Sequence, residues 1–226
     1  DEGQARLQTD EGRAMLQLIH DIAPGAELGF HTAIGGLATF AQGIRSLADP
    51  SQGDCDIIVD DIGYNTEPFY QDGPVTNAVN DVVDTEDVAY FSSAGNDGQN
   101  AYHAPFRNSG ESGVLNDGAE AHNFNPGGSV DTRQQITISA SGGEFGFFTF
   151  QWTDPWATVS GSGGPDTDLD VALVDRGDNV VAQSQISSVA EGLPFETLNY
   201  VNEGTVDVDA DGVPDSTFYL VVEKAE

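Results

Sequence analysis

"CDIIVDDIGYNTEPFYQDGPVTNAVNDVVDTEDVAYFSSAGN", residues 55–96, is the stretch on which the fold turns. Its first nine residues, CDIIVDDIG, hold a short β-branched apolar run of the kind buried on both faces of a parallel sheet. PVTNAVNDVV, residues 74–83, opens on a proline, whose fixed φ and missing N–H suit the first turn of a helix. VAYFSSAGN, residues 88–96, is a second buried strand that ends in Gly-Asn. A strand, a helix and a strand in that order predict a right-handed crossover between parallel neighbours.

The same alternation extends upstream. A helix is predicted from Glu11 to Ile22, stopped by Ala23-Pro24-Gly25. AELGFHT, residues 26–32, reads as a strand. LATFAQGIRSLA, residues 37–48, reads as a helix with Phe40, Ile44 and Leu47 at helical spacing. Residues 11–96 therefore predict part of a doubly wound α/β sheet.

Beyond about Asn100 the character changes. Residues 106–130, rich in Gly, Asn and Ser, are expected to be a loop or linker. Then come QQITISA (134–140), FGFFTFQW (145–152), DLDVALVD (168–175), NVVAQS (179–184) and STFYLVVE (216–223). These short β runs, parted by Gly, Asp and Asn, predict an antiparallel β-sandwich, with a hairpin turning at Gly177-Asp178-Asn179. The expected fold class is α/β: a partial doubly wound parallel sheet in residues 1–105, then a jelly-roll-like β-sandwich in residues 131–226.

Composition limits the partners. Against 38 acidic residues stand 7 basic ones, a formal net charge of −31, with Lys224 the sole lysine. Such a surface repels nucleic acid and anionic lipid, so neither is an expected partner. Self-repulsion on this scale is tolerated where salt shortens the Debye length to about 3 Å at 1 M, so a salt-adapted source is expected. Cys55 is the single cysteine and rules out an internal disulfide; it is expected to be a buried structural thiol. No run approaches the roughly 18 apolar residues of a membrane span.

Candidate chemistry starts at the first helix. On a 100° wheel Glu11 shares the side of Ala14, Met15, Leu18 and Ile22, so it heads the apolar stripe. Desolvation there raises a carboxyl pKa while the helix N-terminus opposes the rise, a balance that suits a general base. Asp10 lies to the side as an ordinary first-turn acid, and Thr9 is the N-cap candidate. His20 faces away from the stripe. Asn96, at the carboxyl end of a parallel strand, is placed to donate to a developing oxyanion or simply to make a turn.

DEGRAMLQLIHDIAPGAELGF, CDIIVDDIGYNTEPFYQDGPV and VAYFSSAGNDG together resemble the subtilisin-like serine peptidases over roughly residues 9–100. The resemblance implies that Glu11-Gly12-Arg13 stands where that family has its catalytic histidine motif. It also makes Asn96 the oxyanion-hole residue, and Asp61, Ile62, Gly63 and Tyr64 a wall of the substrate cleft. Glutamate as base is similar to the sedolisins, related peptidases whose Glu-x-x-x-Asp pattern is broken here by Met15. The family's Gly-Thr-Ser nucleophile motif does not occur, and Ser92 and Ser93 are expected to be packing residues. More weakly, DTDLDVALVDRGDNVVAQS and FYLVVEK resemble the β-sandwich modules attached to or inserted in secreted peptidases.

DVDADGVPD, residues 207–215, opens like a Ca²⁺ loop with Asp207, Asp209 and Asp211 before Gly212, and Asp215 is a fourth candidate ligand. Phe218 occupies the loop position where glutamate is needed, and an acidic hairpin turn is the competing reading. The expectation is a piece of a secreted, extracellular serine-type endopeptidase acting on polypeptide, inactive alone because nucleophile and upstream aspartate are missing, with Ca²⁺ as a possible cofactor. The alternative is a non-catalytic scaffold whose sandwich binds protein or glycan through an aromatic strip at Phe147, Trp152 and Trp156; a third is a mechanical spacer.

Overall fold

The computed structural model of the chain describes residues 10–96, 98, 100–141, 143–161 and 163–225. Two compact units divide it, Asp1–Ala101 and Tyr102–Glu226. Together they make a mixed α/β protein with several antiparallel sheets and, among the described residues, five helices.

In the first unit, α1 (Glu11–Ile22), α2 (Leu37–Ala48), β1 (Ile57–Asp60), α3 (Pro74–Glu86) and β2 (Ala89–Ser92) follow in that order. Strands β1 and β2 pair in parallel, with Ile57 opposite Ala89 and Asp60 opposite Ser92. Helix α3 is thus the crossover that residues 55–96 predict. Its first turn starts at Pro74, and the Glu67 carboxylate accepts the N–H groups of Val75 (3.1 Å) and Thr76 (3.0 Å). That satisfies two donors a helix start leaves over, with negative charge on the favourable end of the dipole. Gly73 makes it possible: a Cβ there would sit 2.5 Å from the Glu67 oxygen.

Helices α2 and α3 bury Phe40, Ala41, Ile44, Ala48, Ala78 and Val82 against Ile58 and Val88. Among the described residues, the helices cover the sheet on that face only. Ile57, Val59 and Phe91, which alternate with the buried side, are 64%, 45% and 60% exposed. Segment 26–32 is not a strand. Among the described residues it joins no ladder, and Leu28 and Phe30 are exposed, because an apolar alternation becomes a strand only when a neighbour receives its N–H and C=O groups.

The second unit contains β3 (Asn108–Ser112), β4 (Glu120–His122), β5 (Gln134–Thr137), β6 (Phe145–Gln151), α4 (Ala157–Ser160), β7 (Leu169–Val174), β8 (Val180–Ser184), α5 (Ser188–Glu191), β9 (Phe195–Val201) and β10 (Thr217–Lys224). One antiparallel sheet runs β3-β4-β10-β7-β8, with β5 also paired to β10, and β6 and β9 form a second sheet. The tight β7–β8 turn is the one legible at residues 177–179: Asp178 has φ 61° and donates its N–H to Asp175 O.

Central strand β7 is buried on both faces. Val171 and Leu173 join Phe218, Leu220, Ile138 and Leu198, with Phe148, Phe150 and Tyr200 from the second sheet packed on them. Ala172 and Val174 pack with Val221 against Val114 and Leu115. Residues 106–130 are therefore more than a loop: they supply β3, β4 and the apolar cover of β7. Each fully buried large side chain here contributes roughly 1.5–3 kcal/mol.

Candidate functional site

The parallel register in the first unit brings two segments side by side. Asp60 and Ser92 end their strands opposite each other, and Ser93 N–H donates to Asp60 O at 3.2 Å. Segments 61–64 and 93–96 consequently leave the same carboxyl edge, the side on which open α/β sheets place their ligands.

Beneath that edge lies a cleft of about 280 Å³, lined by Ile62, Tyr64, Glu67, Asp60, Tyr90 and Ser92 among others. Of the predicted wall residues, Ile62 and Tyr64 line it, while Asp61 and Gly63 are exposed. The Tyr64 hydroxyl donates to Ala33 O, which ties the wall to the segment before α2. Asn96 is exposed on the segment that leaves β2.

A constellation not singled out in the sequence sits at the floor. The Asp60 carboxylate accepts the Tyr90 hydroxyl and, at 2.7 Å, the Ser92 hydroxyl. Burial, reinforced by the bond to Asp60 and its charge, pushes the Tyr90 phenol far above its ordinary pKa, so Tyr90 is a donor and not a base. Ser92 is thus held by a carboxylate. His31 Nδ1 is engaged with Thr32 O, and His122 belongs to the other unit. The signal was available only through register, since residues 60, 90 and 92 share a face once Asp60 is set opposite Ser92.

Glu11 departs from expectation. It begins α1, but no residue of α1 is buried, and Leu18 and Ile22 are 63% and 86% exposed. The apolar stripe is real but mostly open: Met15 is half-buried, while Ala14, Leu18 and Ile22 are exposed. Glu11 is itself exposed. Asp10 is the N-cap residue and pairs with Arg13 at 2.5 Å, as a solvated first-turn acid would. Thr9 lies outside the described residues. Cys55 is half-buried rather than buried. Burial first, then Asp54 and Asp56, pushes its thiol pKa up, so it stays protonated.

In the second unit, Asp207, Asp209 and Asp211 each place a carboxylate oxygen within 4.8 Å of the others and could hold a cation. Asp215 does not join them: it accepts Arg176 at 3.0 Å and Val208 N–H at 2.8 Å. The same Arg176 nitrogen reaches Asp209 at 3.0 Å. Phe218, at the loop's glutamate position, is buried in the core, so an EF-hand cage cannot form. What remains is a three-carboxylate turn with an arginine at its rim.

The predicted aromatic strip is also redrawn. Trp156 is 5% exposed and packs on Phe195, and Trp152 is half-buried. Phe147 is exposed as expected, but its partner is Phe145; their rings stack 6.3 Å apart at 23°.

Three buried carboxylates, none of them singled out in the sequence, tie strands together. Glu223 accepts the N–H groups of Val114, Leu115 and Asn116 and the Asn116 amide, at 2.6–3.0 Å. Asp170 accepts that amide at 2.7 Å, and burial raises its pKa. Glu196 on β9 takes the Ser184 hydroxyl from β8 and Ile186 N–H at 2.7 Å. Burial pushes Glu196 up to about 7, with Asp170 and Asp168 adding to the rise against those two bonds. His122, ringed by Tyr102, Phe106 and Phe124, is pushed down to about 4 by burial and by Arg107. Its Nδ1 accepts Arg107 N–H at 3.0 Å, so the neutral ring carries its proton on Nε2, toward Tyr102.

No protein-family model matches the chain, and no curated protein matches it. No helix among the described residues is long and apolar enough to cross a membrane.

Proposed function

We propose that the first unit is the substrate-cleft portion of a secreted, extracellular serine-type endopeptidase of subtilisin-like build, and that the second unit is its accessory β-sandwich. The observation that carries this reading is the register of β1 and β2. It sets the 61–64 segment beside the 93–96 segment at one carboxyl edge, over a cleft lined by Ile62 and Tyr64. An extended polypeptide lying on 61–64 would bring a carbonyl near the Asn96 amide, the arrangement that stabilises an oxyanion. Glu11 stands at the general-base position of the resembled family. Exposed on α1, it needs a nucleophile and an orienting acid to act. The chain has no Gly-Thr-Ser, and Ser92 is bound to the Asp60 carboxylate, which also holds the Tyr90 hydroxyl, and not to Glu11.

The test is a photo-crosslinking peptide incubated with the chain, followed by mapping of the labelled residues. Labels on both 61–64 and 93–96, with no peptide cleavage, are expected. Labels on neither segment, or cleavage that a serine-directed inhibitor abolishes, would overturn the reading as stated.

A second reading, a non-catalytic scaffold that binds through its second unit, is favoured by one observation, the exposed Phe145–Phe147 stack.

A further inference from the structure

We propose that the outer face and edge of β6 form a docking strip for an extended polypeptide segment that is apolar at alternate positions and basic at the end that meets Glu144 and Glu203. This inference does not rest on the peptidase reading; it rests on the second reading's Phe145–Phe147 surface, for which it names the occupant.

Strand β6 pairs with β9 over its whole length and, among the described residues, with no other strand. Its far edge is that of an end strand. Natural sheets blunt such edges with lysine, proline, bulges or a short strand. FGFFTF, residues 145–150, does none of these: it runs in unbroken register, without a charge or a proline. An extended chain can add to such an edge through main-chain hydrogen bonds, with its alternate side chains finding pockets on the exposed face.

That face is built for contact. On it lie Phe145 opposite Val201, Phe147 opposite Asn199, Thr149 opposite Thr197 and, at the end closed by Trp156, Gln151 opposite Phe195. Phe145, Phe147 and Val201 are 58%, 44% and 44% exposed. The opposite face, with Phe148, Phe150, Leu198 and Tyr200, is packed in the core and fixes the strand. The buried Asn202 amide pins the end of β9 to Ile138 O and Asp215 O, at 2.7 and 2.8 Å.

Charge selects the occupant. None of the eight outer-face residues is ionisable, in a chain of net charge −31. Glu144, just before β6, and Glu203, just after β9, are exposed at the end where Phe145 and Val201 meet. A peptide with aliphatic or aromatic side chains over the two phenylalanines and arginine or lysine at the end beside Glu144 and Glu203 satisfies both features, and arginine at both ends of a probe serves either strand direction. An acidic segment is repelled, as is a second copy of this chain at low salt.

The experiment measures fluorescence anisotropy of a labelled octapeptide, Arg-Thr-Val-Thr-Val-Thr-Val-Arg, against the whole chain. Three controls accompany it: the same peptide with Glu at both ends, the same peptide N-methylated at alternate residues, and the double variant Phe145→Ser, Phe147→Ser. Both substituted side chains are exposed, so circular dichroism of the variant should match the parent. We expect saturable binding by the parent, weakened about tenfold or more by each of the three changes. N-methylation tests edge pairing on the unaltered protein, should the double variant misfold. Absence of binding, or equal affinity for the parent and N-methylated peptides, would overturn the proposal. So would dimerisation through this face without peptide binding, or binding of a neutral polysaccharide in place of the peptide.

Discussion

The two units bury their strands in opposite ways. In the first, the parallel pair β1–β2 has helices on one face and Ile57, Val59 and Phe91 open on the other. In the second, β7 is covered on both faces, and every large side chain that is fully buried, from Phe218 and Leu173 to Glu196 and Glu223, belongs to that unit. A parallel strand normally needs cover on both sides, whereas an antiparallel sheet tolerates one wet face. Here the strands of the type that needs two covers have one. The first unit thus places a cleft at its strand ends while resting on a thin core; the second has the core on which a rigid surface strip can be mounted.

The largest effect should come from attacking both cores. Phe218→Ala should cost about 3–5 kcal/mol and Ile58→Ala about 2, since a site with one open face collapses more easily around a lost side chain. The units have separate optical signals. Trp152 and Trp156, the chain's two tryptophans, lie in the second unit, and its three long helices lie in the first. Denaturant unfolding followed by tryptophan emission should register Phe218→Ala, and helical circular dichroism should register Ile58→Ala. Equal losses on coincident transitions would break the contrast.

A smaller effect separates two buried groups within the second unit. Glu196, raised to about 7 from an ordinary 4.5, contributes stability that is complete below pH 4.5 and lost as pH rises through 7. His122, lowered to about 4 from an ordinary 6.5, contributes stability that is complete above pH 6.5 and lost as pH falls toward 4. Between 4.5 and 6.5 their slopes oppose each other. Glu196→Gln should therefore make the unit gain stability with rising pH across that window relative to the parent, and His122→Gln should make it lose stability. Parallel profiles for parent and variants, from thermal melts at each pH, would remove both groups from the account.

The smallest effect is expected on the open face. Ile57→Thr and Phe91→Thr should change stability by no more than about 0.5 kcal/mol and reduce light scattering at high concentration. A cost of several times that would show that this face is covered in solution.

Periodicity and punctuation carry the local elements well and their partners poorly. Helices α1 and α2 begin and end where the pattern and the breaker Pro24-Gly25 place them, and α3 starts at its proline. Yet the α1 stripe says only that the helix has an apolar face, not what lies against it, and so the pattern predicts a partly desolvated Glu11 where the structure has it exposed. Segment 26–32 failed as a strand for the same reason. Strand β9, FETLNYV, escaped notice because its inward positions include Glu196, whose partners Ser184 and Ile186 are remote in sequence. Strands β3 and β4, NSGES and EAH, are too polar and short to announce themselves. Of the wall residues that the subtilisin-like resemblance implies, Ile62 and Tyr64 line the cleft. The Asp60–Tyr90–Ser92 floor is not legible in the sequence, because it exists only in the pairing of two strands.

Arg13, Arg45, Arg133 and Arg176 are each spent on nearby aspartates, and Arg107 holds Tyr102 and the Asn123 carbonyl. Basic side chains so committed to local ties do little for the remainder of the acidic surface. Electroneutrality then has to come from outside: 31 positive charges per molecule, drawn from dissolved sodium, potassium or other cations. In solution the protein is a polyelectrolyte salt. Dialysed against dilute buffer, it should hold cations on its own side of the membrane and draw water after them, as a Donnan equilibrium requires.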